Sequence, residues 1–424
     1  MPESLLFALI PGFLWLFLTF TAAFLCRENR PGTAVFFCWL LLGMYLIYIP
    51  VADVVSGIKE FYGFRLSFLP AISQTICLVY SAAIAGFAAG VWAGWLIFRN
   101  RTFSLPLLRV KQGPEAVAFL YGFQVLVWLL YFFNLHLSGI AAAEVFNPLS
   151  RNQHAILFAA SYRYPILELL SASVPVCLFL LLLLGQRRKP EWWLFFLFWL
   201  ALSLLGGWRF RIILFVLFVL FHQVQRTGFV KWFLPVAMLL LPGMAWLTLN
   251  RMAIAKRQFE LITFNLRQFD FQVFHQEFSN SRTFRACLSF GQNLSFPGIK
   301  GWLKVPPEGK PWILQVSKAW IPQGWPWNPN PALSQPEEFY LLFGLGGMIL
   351  LMAGLGMYCI FLDRLKKEFW HHALHILLTA LLFQWLSRGY FPFQLKITLI
   401  CLLPFLLLQI AGPYLSFRKD GNKA

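Results

Sequence analysis

Apolar stretches close to twenty residues long recur from residue 5 to residue 413, and few charges interrupt them. Wound as a helix rising ~1.5 Å per residue, such a stretch crosses an ~30 Å hydrocarbon core with its backbone N–H and C=O groups bonded internally. The chain is therefore expected to be an all-α polytopic membrane protein. With 59% of its 424 residues hydrophobic, 12% charged and a mean hydropathy of +0.66, it has too little polar surface for a soluble domain of this size. Residues 5–25 lack the basic n-region, short apolar core and small-residue cleavage site of a secretory signal. They are expected to stay as a helix, with the mature chain beginning at Met1.

Length and flanking charge divide the chain into about eleven spans: 5–25, 33–52, 72–98, 115–136, 165–185, 191–207, 210–224, 230–249, 338–361, 371–388 and 393–413. Transmembrane helices 1–8 occupy residues 1–249, a long loop occupies 250–337, and helices 9–11 with a tail occupy 338–424. The short loops after the odd-numbered spans carry the basic residues, among them Arg27, Arg99, Arg187, Arg226 and Arg364, and the tail adds Arg418, Lys419 and Lys423. Basic short loops stay cytoplasmic, so the C-terminus is expected inside and the N-terminus outside. The long loop, between the eighth and ninth spans, is then extracytoplasmic although it holds ten basic residues. Long loops translocate largely regardless of charge, so these residues point to an anionic substrate rather than to topology.

The net charge of +18 does not argue for nucleic acid, because seventeen of the thirty-five Lys and Arg residues serve cytoplasmic orientation. No nucleic-acid partner is expected; the lipid bilayer is. Six of the seven cysteines lie in or beside apolar segments, which supports neither a disulfide framework nor a zinc site.

Three features carry chemistry. Fewer apolar residues lie between Glu191 and Arg226 than the ~40 that two full crossings need, so the turn GGWRFR, residues 206–211, is expected to sit below the outer surface. Arg209 and Arg211 would lie near lipid-phosphate depth, either snorkelling to headgroups or gripping a lipid-linked diphosphate bidentately. Arg388 ends the tenth span on the same face, and Lys396, inside the eleventh, either binds a partner or snorkels outward. The long loop sets Arg251, Lys256, Arg257, Arg267, Arg282 and Arg285 among Glu260, Asp270, Glu277 and His275, with phenylalanines at helical spacing that suggest an amphipathic helix along the membrane. Its acids and His275 are general-base candidates or solvated, salt-bridged groups. Beyond them, the Pro/Trp-rich run over 295–339, with Trp302, Trp312, Trp320, Trp325 and Trp327, reads as an irregular lid that stacks on sugars or anchors at the interface.

No phosphate loop, H-E-x-x-H, Asp-x-Asp pair or G-x-S-x-G elbow occurs. A soluble nucleotide donor, a cofactor and a catalytic metal are not expected. Arginines are expected to neutralise phosphate instead.

The order of these parts resembles the Wzy-type oligosaccharide repeat-unit polymerases of bacterial O-antigen and related polysaccharide synthesis. The parts are GWRFR (207–211), the outward basic loop, IPQGWPWNPNP (321–331), PEEFYLLFGLGGMILLMAGLG (336–356) and SRG (387–389). Pro336-Glu337 stands where that family has Gly-Glu, and Glu338 aligns with the family glutamate. The resemblance covers residues 200–390 and implies a GT-C-like fold in the bacterial inner membrane. It further implies a metal-independent glycosyltransferase that moves a glycan from undecaprenyl diphosphate to the terminal sugar hydroxyl of an incoming lipid-linked repeat unit. Arg209, Arg211 and Arg388 would grip the diphosphate, Arg267 and Arg282 would assist, and Glu338 or His275 would be the base. A chain-length-determining co-polymerase is the implied partner. A lipid-linked glycan ligase, which differs only in acceptor, stays open, as do a flippase or transporter and a non-catalytic scaffold.

Overall fold

Proline and glycine decide where the helices of this chain bend. The computed structural model describes residues 2–25, 33–55, 60–61, 64–65, 69–105, 112–140, 163–205, 209–227, 280–290, 333–387 and 391–417. Most of these are helical; short connections and turns join the helices, and a two-residue antiparallel ribbon pairs β1 (Glu60–Phe61) with β2 (Phe64–Arg65). Each described helix overlays one of the apolar segments, apart from one inside the long loop; the segment 230–249 lies outside the described residues. Among the described residues, five helical stretches are long and apolar enough to cross a membrane: Thr33–Val55, Pro70–Phe98, Pro114–Leu137, Gln335–Asp363 and Gln394–Ala411. The protein is thus an α-helical, membrane-embedded protein.

The described residues divide between two compact units. The first contains α1 (Pro2–Leu25), α2 (Thr33–Val55) and α3 (Pro70–Phe98). Helix α2 carries a π-helical turn at Met44–Tyr48. Pro50 explains it: the ring has no N–H to bond Leu46 and crowds that carbonyl, so the preceding turn widens. Asp363 accepts from the backbone N–H of Ala34 at 3.0 Å and of Val35 at 3.2 Å, satisfying donors that the start of α2 leaves open.

Asp363 is the last residue of α10 (Gln335–Asp363), which packs along α3. Gly86, Gly90 and Gly94 recur every four residues on α3, and a Cβ on Gly90 would fall on the carbonyl of Ala353. Small residues at this spacing let two backbones meet where lipid gives no hydrophobic drive for association. Near its start α10 kinks at Gly344, whose φ of 68° and ψ of −174° are open to glycine almost alone. The nine residues before the kink therefore form a short segment with its own direction.

The second unit contains α4 (Pro114–Leu137), α5 (Pro165–Leu170), α6 (Val174–Leu183), α7 (Pro190–Leu205) and α8 (Arg209–Thr227). The segment 165–185, read as one helix from sequence, is interrupted by a 3-10 turn at Ser171–Ser173. Pro175 removes the bond to Ser171 and forces the tightening, and Ser173 Oγ donates to Leu170 O at 2.6 Å. Asn134 closes the end of α4 on Tyr164, donating to its carbonyl at 3.0 Å and accepting from its N–H at 3.1 Å. Trp192 Nε1 donates to Leu178 O at 3.1 Å, fixing α7 against α6. Helices α11 (Phe369–Ser387) and α12 (Phe391–Phe417) are shared out between the two units.

Candidate functional site

Within the long loop one helix is described, α9 (Asn280–Phe290), and its sequence NSRTFRACLSF holds two arginines three residues apart. That spacing puts both on one helical face. A surface helix would turn such a face to water, but here every side chain from Arg282 to Cys287 is buried in the first unit. The loop was expected to lie along the membrane; this part of it inserts among helices.

Two buried guanidiniums need partners, because an unpaired charge in a low-dielectric interior costs several kcal/mol. Arg282, 2% exposed, donates from Nε to Asp53 Oδ1 at 2.8 Å, and its Nη2 lies 2.7 Å from the same oxygen. Asp53 comes from the last turn of α2 and is itself 5% exposed. Arg285 donates from Nη1 to Ser73 Oγ on α3 at 3.3 Å. Burial pushes its guanidinium below the ordinary value, while the neighbouring Tyr80 and Asp53 act the other way.

The start of α10 completes the cluster with two adjacent glutamates, both fully buried. Their surroundings give them different work. Glu337 occupies the third position of the helix, where its Oε2 accepts from the Ser334 N–H at 2.6 Å as in a capping box. Its Oε1 accepts from Tyr80 OH on α3 at 2.5 Å. Glu337 thus ties the kinked segment to α3. Gln335 Nε2 donates to Glu338 Oε2 at 3.3 Å. Among the described residues, Gln335 Oε1 is buried without a hydrogen-bond partner. Phe284 packs against two rings of the same unit, stacked on Tyr80 at 6.1 Å and edge-on to Tyr340 at 5.9 Å.

Of the residues singled out by sequence, Arg282 lies in this cluster, and Glu338 follows Glu337 at the start of α10, bonded to Gln335. Arg211 lies in the second unit, 6% exposed, donating from Nη1 to Ser171 Oγ at 2.6 Å. Arg209 begins α8 in the same unit. Its side chain, together with Arg267, Arg388 and His275, lies outside the described residues. Asp53, Ser73, Tyr80 and Glu337 were not anticipated, and Arg285 was noted only as one of the loop's basic residues. Asp53, an acid at the end of an apolar span, carried a readable signal, since an ionisable group there needs a partner. Among the described residues no group of three His, Cys, Asp or Glu side chains is arranged to hold a metal ion. No family model, no curated protein and no solved structure matches the chain.

Proposed function

We propose that the protein is a membrane glycosyltransferase that polymerises undecaprenyl-diphosphate-linked oligosaccharide repeat units on the extracytoplasmic face of a bacterial inner membrane. In this reading it has about eleven spans, a GT-C-like fold, an outside N-terminus and an inside C-terminus. The reading is supported by the motif order across residues 200–390 and, above all, by the burial of Arg282 and Arg285 near Asp53 and Tyr80 in the same unit as the buried Glu337 and Glu338. A passive scaffold gains little from such a cluster, because replacing buried ion pairs with packed hydrophobic side chains is often neutral or stabilising.

The chemistry asks for few parts. The acceptor sugar hydroxyl attacks the donor's anomeric carbon, the bond from that carbon to the lipid diphosphate breaks, and the diphosphate leaves with the electron pair. Glu338 takes the hydroxyl proton. Gln335 Oε1 offers the acceptor sugar a hydrogen-bond acceptor. Arg285 and Arg282 supply positive charge towards the departing diphosphate, a service worth roughly 2–4 kcal/mol in the barrier per contact. Asp53 holds Arg282 in place, and Glu337 holds the helical segment that carries Glu338. Arg209, Arg211, Arg267 and Arg388 as diphosphate-binding residues, and His275 as a second base, rest on the motif resemblance alone.

The test in cells is surface polysaccharide banding with Glu338→Gln and Arg285→Gln at undiminished protein level. Single-repeat products in place of a chain-length ladder are expected. A normal ladder from both variants rules out this site.

A further inference from the structure

We propose that a groove between α7 and α8 binds one anionic phospholipid, with a hydrocarbon chain in the groove and the phosphate at the basic end of the hairpin. This site lies within the second unit, and the inference holds whatever reaction the protein catalyses.

The groove is half-open, about 300 Å³ in volume, and lined by Phe196 and Trp199 of α7 and by Ile212, Val216, Val219 and Gln223 of α8, among others. Gln223 is its one polar lining residue. The lining residues of α8 recur at three- and four-residue spacing and form one stripe. From Ile212 to Gln223 that stripe runs ~17 Å at ~1.5 Å per residue. This is close to half of an ~30 Å hydrocarbon core, the depth of one leaflet. Leu194, Leu197 and Phe198 on α7 are exposed, as befits a helix that faces lipid.

One end of the groove is strongly basic. Only residues 206–208 separate α7 from α8, so the start of α7 and the end of α8 share an end of the hairpin. There, Arg187, Arg188 and Lys189 precede Pro190, and Arg226 continues the groove stripe one turn beyond Gln223. All four are exposed, and Glu191 is the exposed carboxylate that follows them at the start of α7 among the described residues. Four cations against one carboxylate, at the mouth of an apolar slot one leaflet deep, match a phosphate headgroup with its chain. These residues belong to loops read as cytoplasmic, where anionic lipids give the membrane surface its negative potential.

The experiment uses the full chain in nanodiscs of phosphatidylcholine alone or with phosphatidylglycerol, reading the apparent Tm and the lipid retained after purification by mass spectrometry. The wild type is expected to melt higher with phosphatidylglycerol and to retain it. Val219→Trp fills the groove, and Arg187→Gln with Arg226→Gln removes exposed charge without touching the core. Both variants are expected to lose the retained lipid and the added Tm, while the double Gln variant keeps the wild-type Tm in phosphatidylcholine. Equal Tm in the two lipids, phosphatidylglycerol retention that survives both variants, or recovery of a polyprenyl diphosphate in its place would overturn the proposal.

Discussion

Replacing Asp53 with Asn keeps the side-chain shape but leaves the Arg282 guanidinium without its counter-charge at 2% exposure. Breaking a buried pair in this way costs about 3–5 kcal/mol, because the remaining charge is still desolvated. The strain falls on the docking of α9, and Cys287, five residues along the same helix and fully buried, reports it. Burial, reinforced by the charge of Glu337, pushes the Cys287 thiol up to about 12, so in place it is nearly inert to maleimides, which react with thiolates. When α9 recloses faster than it is labelled, the labelling rate follows the open population, and ~1.4 kcal/mol is tenfold. In a background where Cys287 is the sole cysteine, Asp53→Asn is therefore expected to label at least roughly 10²-fold faster than wild type. The pair Asp53→Leu with Arg282→Met removes both charges and is expected to label close to the wild-type rate while losing activity. Labelling of Asp53→Asn at the wild-type rate would refute the buried ion pair.

The two glutamates are expected to separate cleanly. Glu337→Ala removes the helix cap and the Tyr80 bond and lowers stability by about 2–3 kcal/mol, whereas Glu338→Gln melts like wild type and loses at least ~10²-fold in transfer rate; a matched profile for the two variants contradicts the division of roles. Gly90→Leu forces α3 off α10 and is expected to cost at least ~1–3 kcal/mol and most of the folded yield, with Leu at the open position Gly122 as the neutral control, read by size-exclusion recovery. The raised Cys287 thiol means that the folded state holds that proton more tightly than the unfolded chain, whose thiol titrates near ~8.5. Its contribution is complete below that pH and drains away as pH rises towards about 12, so the Cys287→Ala stability curve is expected to be flatter across this window, and superimposable curves would exclude the linkage.

Helix positions were legible because the signal is local. An apolar run of the right length has one low-energy backbone state in hydrocarbon, and the described helices follow those runs closely. Finer shape was legible in principle from single residues. Pro50 and Pro175 mark the π-helical and 3-10 turns, Ser334-x-x-Glu337 is a capping-box pattern at the start of α10, and Gly86, Gly90 and Gly94 announce a close helix contact. The site was less legible because its partners are far apart in sequence. Arg282 is 229 residues from Asp53, and Tyr80 is 257 from Glu337. Nothing in the pattern around Arg282 and Arg285 tells a solvated face for an anion from a buried face for a carboxylate. Burial makes that choice, and one sequence does not encode it locally. The capping role of Glu337 emerged from the hydrogen bonds at Ser334 and Tyr80.

In the proposed reaction, residues around Glu338 transfer lipid-linked glycan. It is tested most directly by incubating purified protein with one undecaprenyl-diphosphate-linked repeat unit, without nucleotide sugar or divalent metal, and measuring glycan length and free undecaprenyl diphosphate together. The wild type is expected to give a ladder with one diphosphate released per new glycosidic bond, and Glu338→Gln neither. Donor that binds the wild-type protein but releases no diphosphate, or transfer that appears only onto a lipid A core acceptor, would contradict the polymerase account.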